Sequence, residues 1–151
     1  VKLSTLCYIE QDGKYLMLHR TIKENDINKD KWIGVGGHFE KDETPEECLL
    51  REVKEESGAD ASIISYVGKS QYSFTAAGDT VVKDVHWYLM MADSYYSKPQ
   101  REEYFVDSGY YKYHEAYHLL KFANEKQILE KAYNEYLELK KNNLWGSHKY
   151  F

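Results

Sequence analysis

The apolar pattern at the start of the chain predicts a β-hairpin that leads into a glycine-rich segment. Residues 3–10 (LSTLCYIE) and 14–20 (KYLMLHR) are rich in strand formers, and residues 11–13 (QDG) form a turn sequence. Residues 21–31 are polar and carry Asn and Asp, which predicts an exposed loop. The segment WIGVGG follows at residues 32–37, and its glycines allow a close backbone approach.

Helix signals are clearest over residues 45–57. Thr44 is a suitable N-cap, Pro45 fits the first helical position, and Glu47 completes a capping box with Thr44. Gly58 supplies a C-terminal stop. At about 100° per residue, two neighbouring arcs differ in chemistry. The arc expected to pack against a sheet holds Leu49, Leu50 and Val53, and the other holds Glu52, Glu55 and Glu56.

The second half of the chain predicts two long strands and two helices. Residues 62–75 and 81–92 have strand composition and are joined by the turn sequence AAGD, and residues 109–112 form a further short strand. Residues 115–121 predict a short helix. A longer helix is expected from the N-cap Asn124, with Gln127 in the capping-box position, to about Lys141. Its apolar face should cover one side of the sheet and comprises Ile128, Leu129, Ala132, Tyr133, Tyr136 and Leu137.

Length and composition limit the classes of protein to consider. The 151 residues suit one domain, which we place at residues 1–141, with a tail of unknown role at residues 142–151. The net charge of −5 argues against a surface that coats duplex nucleic acid. Cys7 and Cys48 lack metal-site spacing and are expected to be buried free thiols. With no apolar run near the ~18 residues of a membrane span, the expected location is the cytoplasm.

One motif in the sequence indicates a catalytic function. Between Gly37 and Gly58 the chain matches Gly-x5-Glu-x7-Arg-Glu-U-x-Glu-Glu-x-Gly, where U is aliphatic. Its fixed positions match by accident about once in 10⁹ windows. The pattern resembles the Nudix box of hydrolases that cleave a nucleoside diphosphate linked to another moiety. The resemblance implies an α/β/α sandwich with a mixed β-sheet and a loop-helix-loop motif.

The three clustered glutamates predict a metal site. Glu52, Glu55 and Glu56 lie at i, i+3 and i+4, where like charges repel unless a cation lies among them. Oxygen ligands favour Mg²⁺, with Mn²⁺ as a substitute. The alternative is a solvated acidic face. The resemblance adds the carbonyl of Gly36 as a ligand and a pair between Arg51 and Glu43 that holds the loop and helix together.

The other site residues follow from the resemblance and from their positions. The general base stays open among Glu52, Glu55 and the loop residue Glu103, and Arg51 and Glu43 support the catalytic group. Substrate contacts are expected from four residues next to or beyond the box, namely His38, Gly37, Trp32 and Tyr110.

The two halves of the chain resemble different branches of the family. The segment LHRTIKENDINKDKWIGVGGHFE resembles MutT-type nucleoside triphosphate diphosphatases, including those for oxidised guanine nucleotides. The segments VHWYLM and HEAYHLLKFANEKQILEKA and the pair Glu102-Glu103 resemble dinucleoside polyphosphate hydrolases. Ile33 stands where the first branch often has a base-reading amide. A Nudix-fold nucleotide sensor is the alternative of another class, and the protein is expected to be a monomer or a homodimer.

Overall fold

The computed structural model describes residues 2–20, 31–92 and 105–145. The predicted hairpin is confirmed by strands β1 (Lys2–Gln11) and β2 (Lys14–Arg20). Asp12 and Gly13 join them with φ values of 51° and 78°. Two consecutive positive φ values match the twist of paired strands, so this turn favours the antiparallel pairing of β1 with β2.

The two long strands predicted in the middle of the chain are also confirmed. They are β5 (Ala61–Ala76) and β6 (Asp79–Ala92), and both extend slightly beyond the predicted bounds. Ala77 and Gly78 form their turn, again with positive φ. β6 then lies parallel to β1, whereas the other strand pairs are antiparallel. The sheet is therefore mixed, as expected.

The glycine-rich segment forms two short strands that the sequence pattern missed. These are β3 (Lys31–Ile33), which pairs with β2, and β4 (Val35–His38), which pairs with β1. Lys31 therefore begins a strand and does not end the predicted loop, whose other residues, 21–30, lie outside the described ranges. Pairing with β1 and β2 supplies the hydrogen bonds that stabilise these two strands, whereas their glycine-rich sequence has little intrinsic preference for a strand. β7 (Phe105–Lys112) pairs along the other edge of β2.

Alternating side chains divide the interior into two cores, one on each face of the sheet. On one face, Cys7 and Ile9 of β1 pack with Leu49 and Val53 of α1 (Pro45–Ser57). On the other face, Tyr8 packs with residues from α2 (Tyr113–Leu119), α3 (Ala123–Lys141) and the linker between them, namely Ala116, Leu120, Ile128, Leu129, Ala132 and Tyr136. This arrangement is the predicted α/β/α sandwich.

Two leucines assigned to buried helix faces are exposed. Leu50 of α1 is 44% exposed and Leu137 of α3 is 43% exposed. Leu50 lies about 100° around the helix from Leu49, which takes it past the edge of the buried stripe. That stripe is centred closer to the glutamates than the sequence pattern suggested, because Cys48 and Glu52 are buried with Leu49.

The beginnings of the last two helices also differ from expectation. α2 starts and ends two residues earlier than predicted. It starts after Lys112, whose amide donates to the Glu115 carboxylate at 3.1 Å, and it ends before Leu120, which is extended and buried. α3 begins at Ala123 with Phe122 at the N-cap and no side-chain cap bond, so Asn124 is not the cap and Gln127 is not in a capping box. The Asn124 Oδ1 atom accepts a hydrogen bond from the Glu125 amide at 2.9 Å.

The first residues of the predicted tail contact the body of the protein. The Trp145 ring packs edge-on against Tyr136 of α3, with 4.8 Å between ring centroids. Residues 146–151 of the tail lie outside the described ranges. None of the helices in the described ranges combines the length and the apolar character that crossing a membrane requires.

Candidate active site

Both ends of helix α1, which carries the glutamates, are fixed by local contacts. The predicted capping box is confirmed, since the Thr44 Oγ1 atom accepts from the Glu47 amide at 3.1 Å and a Glu47 carboxylate oxygen accepts from the Thr44 amide at 3.0 Å. Gly58 ends the helix in the left-handed conformation, as expected. Local sequence therefore fixes where α1 begins and ends, and hence which side chains face the sheet.

The predicted metal-binding glutamates differ in exposure. Glu52 and Glu56 are 4% and 6% exposed, whereas the Glu55 side chain is 38% exposed. Glu52 and Glu56 lie one turn apart, on the same stripe of α1 as Cys48. Burying carboxylates costs free energy unless cations or hydrogen-bond donors compensate them. The burial of Glu52 and Glu56 is therefore a feature of the site and not of a solvated acidic face.

Two glycines of β4 allow the backbone to lie directly against this helix and against β1. Gly36 has a φ of 155°, and a Cβ atom there would lie 2.0 Å from the carbonyl oxygen of Thr5. A Cβ atom at Gly37 would lie 2.6 Å from the carboxylate carbon of Glu52. Gly36 thus allows β4 to lie close to β1, and Gly37 allows the Glu52 carboxylate to lie against the β4 backbone.

Arg51 links the loop, the strand and the helix through all five of its N–H donors. Its Nε and Nη2 atoms donate to the two carboxylate oxygens of Glu43 at 2.7 and 2.9 Å, and Nη2 also donates to the His38 carbonyl at 3.0 Å. Nη1 donates to Glu52 at 2.7 Å and to Glu55 at 3.3 Å. The expected pair of Arg51 with Glu43 is confirmed, and it is bidentate.

This network shifts the ionisation of both partners. The Arg51 guanidinium, and then the Glu40 amide that donates to the same carboxylate, lower the pKa of Glu43 from 4.5 to about 2. In return, the hydrogen bond from Glu43 raises the pKa of Arg51 further above its usual range. Both groups therefore stay charged over the whole neutral range of pH.

The carboxylates of the box do not converge on a common point in this arrangement. Within residues 2–20, 31–92 and 105–145, no three His, Cys, Asp or Glu side chains form a group with the geometry of a metal site. Arg51 Nη1 bridges Glu52 and Glu55, so a guanidinium lies among the clustered charges. The donor set still has the chemistry of a hard-cation site, because it consists of carboxylate and carbonyl oxygens. The metal roles of Glu52, Glu55, Glu56 and Gly36 stay predictions.

The predicted substrate-binding residues do not all lie together. Gly37 and His38 are at the box, where the exposed His38 shares a hydrogen bond of 2.9 Å between its Nδ1 atom and Ser4 Oγ. Tyr110 packs against the core on the α1 face of the sheet. Trp32 packs on the opposite face, stacked on His19 with 4.6 Å between ring centroids. Glu103 lies outside the described residues.

Cys48 is a site residue that sequence reasoning missed. Its buried Sγ atom accepts from Thr5 Oγ1 at 3.3 Å and donates to the Gly37 carbonyl at 3.6 Å. Both cysteines are free, as predicted. The position of Cys48 one turn before Glu52 was the available signal, because residues four apart share a helix face.

Comparison with known proteins agrees with this geometry. A family model of the NUDIX domain matches residues 2–132. The chain belongs to the Nudix hydrolase family. Members of this family generally use divalent metal cations.

Named Nudix relatives have several substrates. An oxidized purine nucleoside triphosphate hydrolase of Danio rerio is 32% identical over 102 residues, which cover 68% of this chain and 61% of that protein. A CTP pyrophosphohydrolase of Escherichia coli is 36% identical over 63 residues, covering 42% and 45%. The aligned part thus spans less than two thirds of these relatives.

A solved structure supports the fold. An Ap4A hydrolase of C. elegans, solved as a binary complex, superposes with a TM-score of 0.69 at 17% identity, covering 91% of this chain and 98% of that one. At this identity the match shows the shared fold alone.

The two glycines of the Nudix β4 strand should respond differently to alanine. Gly36→Ala should destabilise the fold by more than about 3 kcal/mol, because the new Cβ meets backbone atoms that cannot move aside. Gly37→Ala should cost roughly 1–2 kcal/mol, since it meets only the end of a side chain. Urea unfolding measures both. Gly68→Ala is the control, because the nearest atom to its Cβ would be 3.5 Å away. Equal losses at Gly36 and Gly68 would contradict this account of β4.

The pKa of Glu43 predicts how this residue contributes to stability. Because that pKa falls from 4.5 to about 2 on folding, the contribution is complete above pH 4.5 and is lost as the pH falls toward 2. A carbon-13 NMR titration of the carboxyl groups should give Glu43 a midpoint near 2. Arg51→Lys should raise that midpoint toward 4.5, because an ammonium cannot make the bidentate pair.

Lys54→Gln is the matched control for this titration. Lys54 is another cation of α1, and its ion pair is with the exposed Asp60 at 3.1 Å. Its loss should leave the Glu43 midpoint in place. A wild-type midpoint near 4.5, or one that Lys54→Gln shifts as far as Arg51→Lys does, would show that Arg51 does not control this carboxylate.

Proposed function

We propose that this protein is a Mg²⁺-dependent hydrolase that cleaves a phosphoanhydride bond of a nucleoside diphosphate linked to another moiety. The proposed reaction converts a nucleoside triphosphate, including its oxidised forms, to the monophosphate and pyrophosphate. Mn²⁺ is the expected substitute. The observation that carries the proposal is the burial of the Glu52 and Glu56 carboxylates on one face of α1, with the Glu52 carboxylate directly against the backbone of Gly37.

The residues of the box have two proposed roles. Some would bind the cation, and others position the residues that bind it. Glu52, Glu55, Glu56 and the Gly36 carbonyl would hold the cation, which when bound draws charge from the phosphoryl group and lowers the pKa of an attacking water. Arg51 fixes the orientation of the Glu52 carboxylate through its 2.7 Å hydrogen bond. The general base remains a choice among Glu52, Glu55 and Glu103.

A nucleoside triphosphate is the favoured substrate because of the named relatives. The Danio rerio and Escherichia coli proteins that this chain resembles are named for nucleoside triphosphates or for CTP. Ile33 is buried in the core on the α1 face of the sheet, so it supplies no hydrogen bond to a base. The substrate base is therefore read by other residues, for which we propose His38, which follows the box glycine, and Tyr110 on the α1 face of the sheet.

A dinucleoside polyphosphate is the second candidate substrate. The segments around β6 and α2 resemble hydrolases of that class, and the Ap4A hydrolase structure shares the fold over most of both chains. A non-catalytic nucleotide sensor is the alternative of another class. Burial of two acidic side chains in the box argues against it, because a sensor gains nothing from the cost of that burial.

The free thiols support a proposal for the cellular compartment but give no information on the oligomeric state. Cys7 and Cys48 are both buried and unpaired with each other, as expected in a reducing compartment, so we propose the cytoplasm. The expected partner is a small nucleotide, and the protein acts as a monomer or a homodimer.

A substrate screen with product identification tests the proposal. Nucleoside triphosphates, oxidised nucleotides, dinucleoside polyphosphates and nucleotide sugars are incubated with Mg²⁺ and the products are separated. Glu56→Gln should lower turnover of the best substrate by roughly 10²–10³-fold or more, because it removes an electrostatic contact at the reacting centre. Glu130→Gln on α3 is the control, since Glu130 is exposed and outside the box. Tight binding of a nucleotide that stays intact over hours would establish the sensor instead.

A further inference from the structure

The Arg51 guanidinium has two edges with different partners. The edge formed by Nε and Nη2 holds both oxygens of Glu43 and the His38 carbonyl, at 2.7 to 3.0 Å. The Nη1 atom on the other side holds Glu52 at 2.7 Å and Glu55 at 3.3 Å, and lies 3.5 Å from Glu40. The first edge ties α1 to the loop and the strand, whereas the second lies among the carboxylates predicted to bind metal.

These two edges should differ in how easily their contacts exchange. The pair with Glu43 is bidentate, and planar bidentate contacts are the stronger kind for arginine. Nη1 carries two hydrogens, and three carboxylates lie within 3.5 Å of it. The Glu55 side chain is 38% exposed and that of Glu40 is 67% exposed, and ion pairs that water can reach contribute little because water competes for both partners. Nη1 therefore holds Glu55 and Glu40 more weakly than the other edge holds Glu43, whereas its contact of 2.7 Å with the buried Glu52 is as short as the shortest Glu43 contact.

The oxygens that Nη1 contacts belong to the glutamates that would hold a divalent cation. A cation bound to the Glu52 and Glu55 carboxylates brings the positive charge that Nη1 supplies without it, so it weakens the long contact of 3.3 Å from Nη1 to Glu55. We propose that Arg51 Nη1 is the internal counter-cation of the Nudix glutamates, and that a divalent cation displaces it from Glu55 while its contact with Glu52 and the bidentate contact of Arg51 with Glu43 stay in place. This rests on the proposed function only in requiring that the box binds a divalent cation.

The Nη1 contacts stabilise the carboxylate cluster when no divalent cation is bound. Without a cation among them, clustered carboxylates repel one another and favour local opening of the helix. Arg51 Nη1 reduces that repulsion and keeps Glu52 close to its working position. Because the Glu43 contacts do not change, the loop and α1 need not move when the cation enters, and only one side of a planar group changes partners.

Arginine NMR tests the exchange directly. The chain has three arginines, Arg20, Arg51 and Arg101, so guanidinium signals of the ¹⁵N-labelled protein can be assigned with an Arg51→Lys variant. MgCl₂ alone is added, and calorimetry on the same samples measures Mg²⁺ binding. The expected result is that the Arg51 Nη1 signal shifts along the calorimetric binding curve while the Nε signal stays in place. Glu40→Gln is the control and should respond as the wild type does, since Glu40 is the most distant of the three Nη1 neighbours.

Two other outcomes would refute the proposed exchange, and they differ in what they imply for the hydrolase function. If Mg²⁺ binds and the Nη1 signal does not move, or if Nη1 and Nε shift together, the exchange is refuted and the proposed hydrolase function is untouched. If calorimetry detects no Mg²⁺ binding, the metal part of the proposed function fails and the exchange fails with it.

Discussion

The bidentate contact between Arg51 and Glu43 is the interaction on which the rest of the site depends. Glu43 lies in the loop before α1, His38 ends β4, and Glu52 lies on α1, and Arg51 bonds to all three. A lysine at this position has no planar fork and would satisfy only part of the set. The loop-helix-loop unit is thus held by one side chain with every donor in use.

The second constraint is that β4 lies very close to β1 on one side and to the Glu52 carboxylate of α1 on the other. β4 pairs with β1 so that Gly36 lies beside Thr5 and Leu6, with no space for a side chain. The next residue, Gly37, then faces the Glu52 carboxylate. Cys48 adds contacts from α1 to both strands, to Thr5 on β1 and to Gly37 on β4. Together these contacts place the buried Glu52 carboxylate directly against the backbone of β4.

Local signals in the sequence predicted α1 to the residue, because Thr44, Pro45, Glu47 and Gly58 act through contacts within a few positions of each other. The glutamates that we predict to bind metal, and Arg51, were singled out by spacing and resemblance. Other features depend on pairing between distant segments. Strands β3 and β4 and the position of Trp32 on the opposite face follow from how β1 and β2 pair with the glycine-rich segment, and no local pattern encodes that register.

The central claim is that the buried glutamates of α1 support metal-dependent cleavage of a phosphoanhydride bond. Phosphorus-31 NMR of a nucleoside triphosphate with the wild-type protein follows that cleavage in one sample, first with chelator and then with excess Mg²⁺. The account predicts no change with chelator and the appearance of monophosphate and pyrophosphate signals after Mg²⁺ is added. Cleavage at the same rate in the presence of chelator would contradict it.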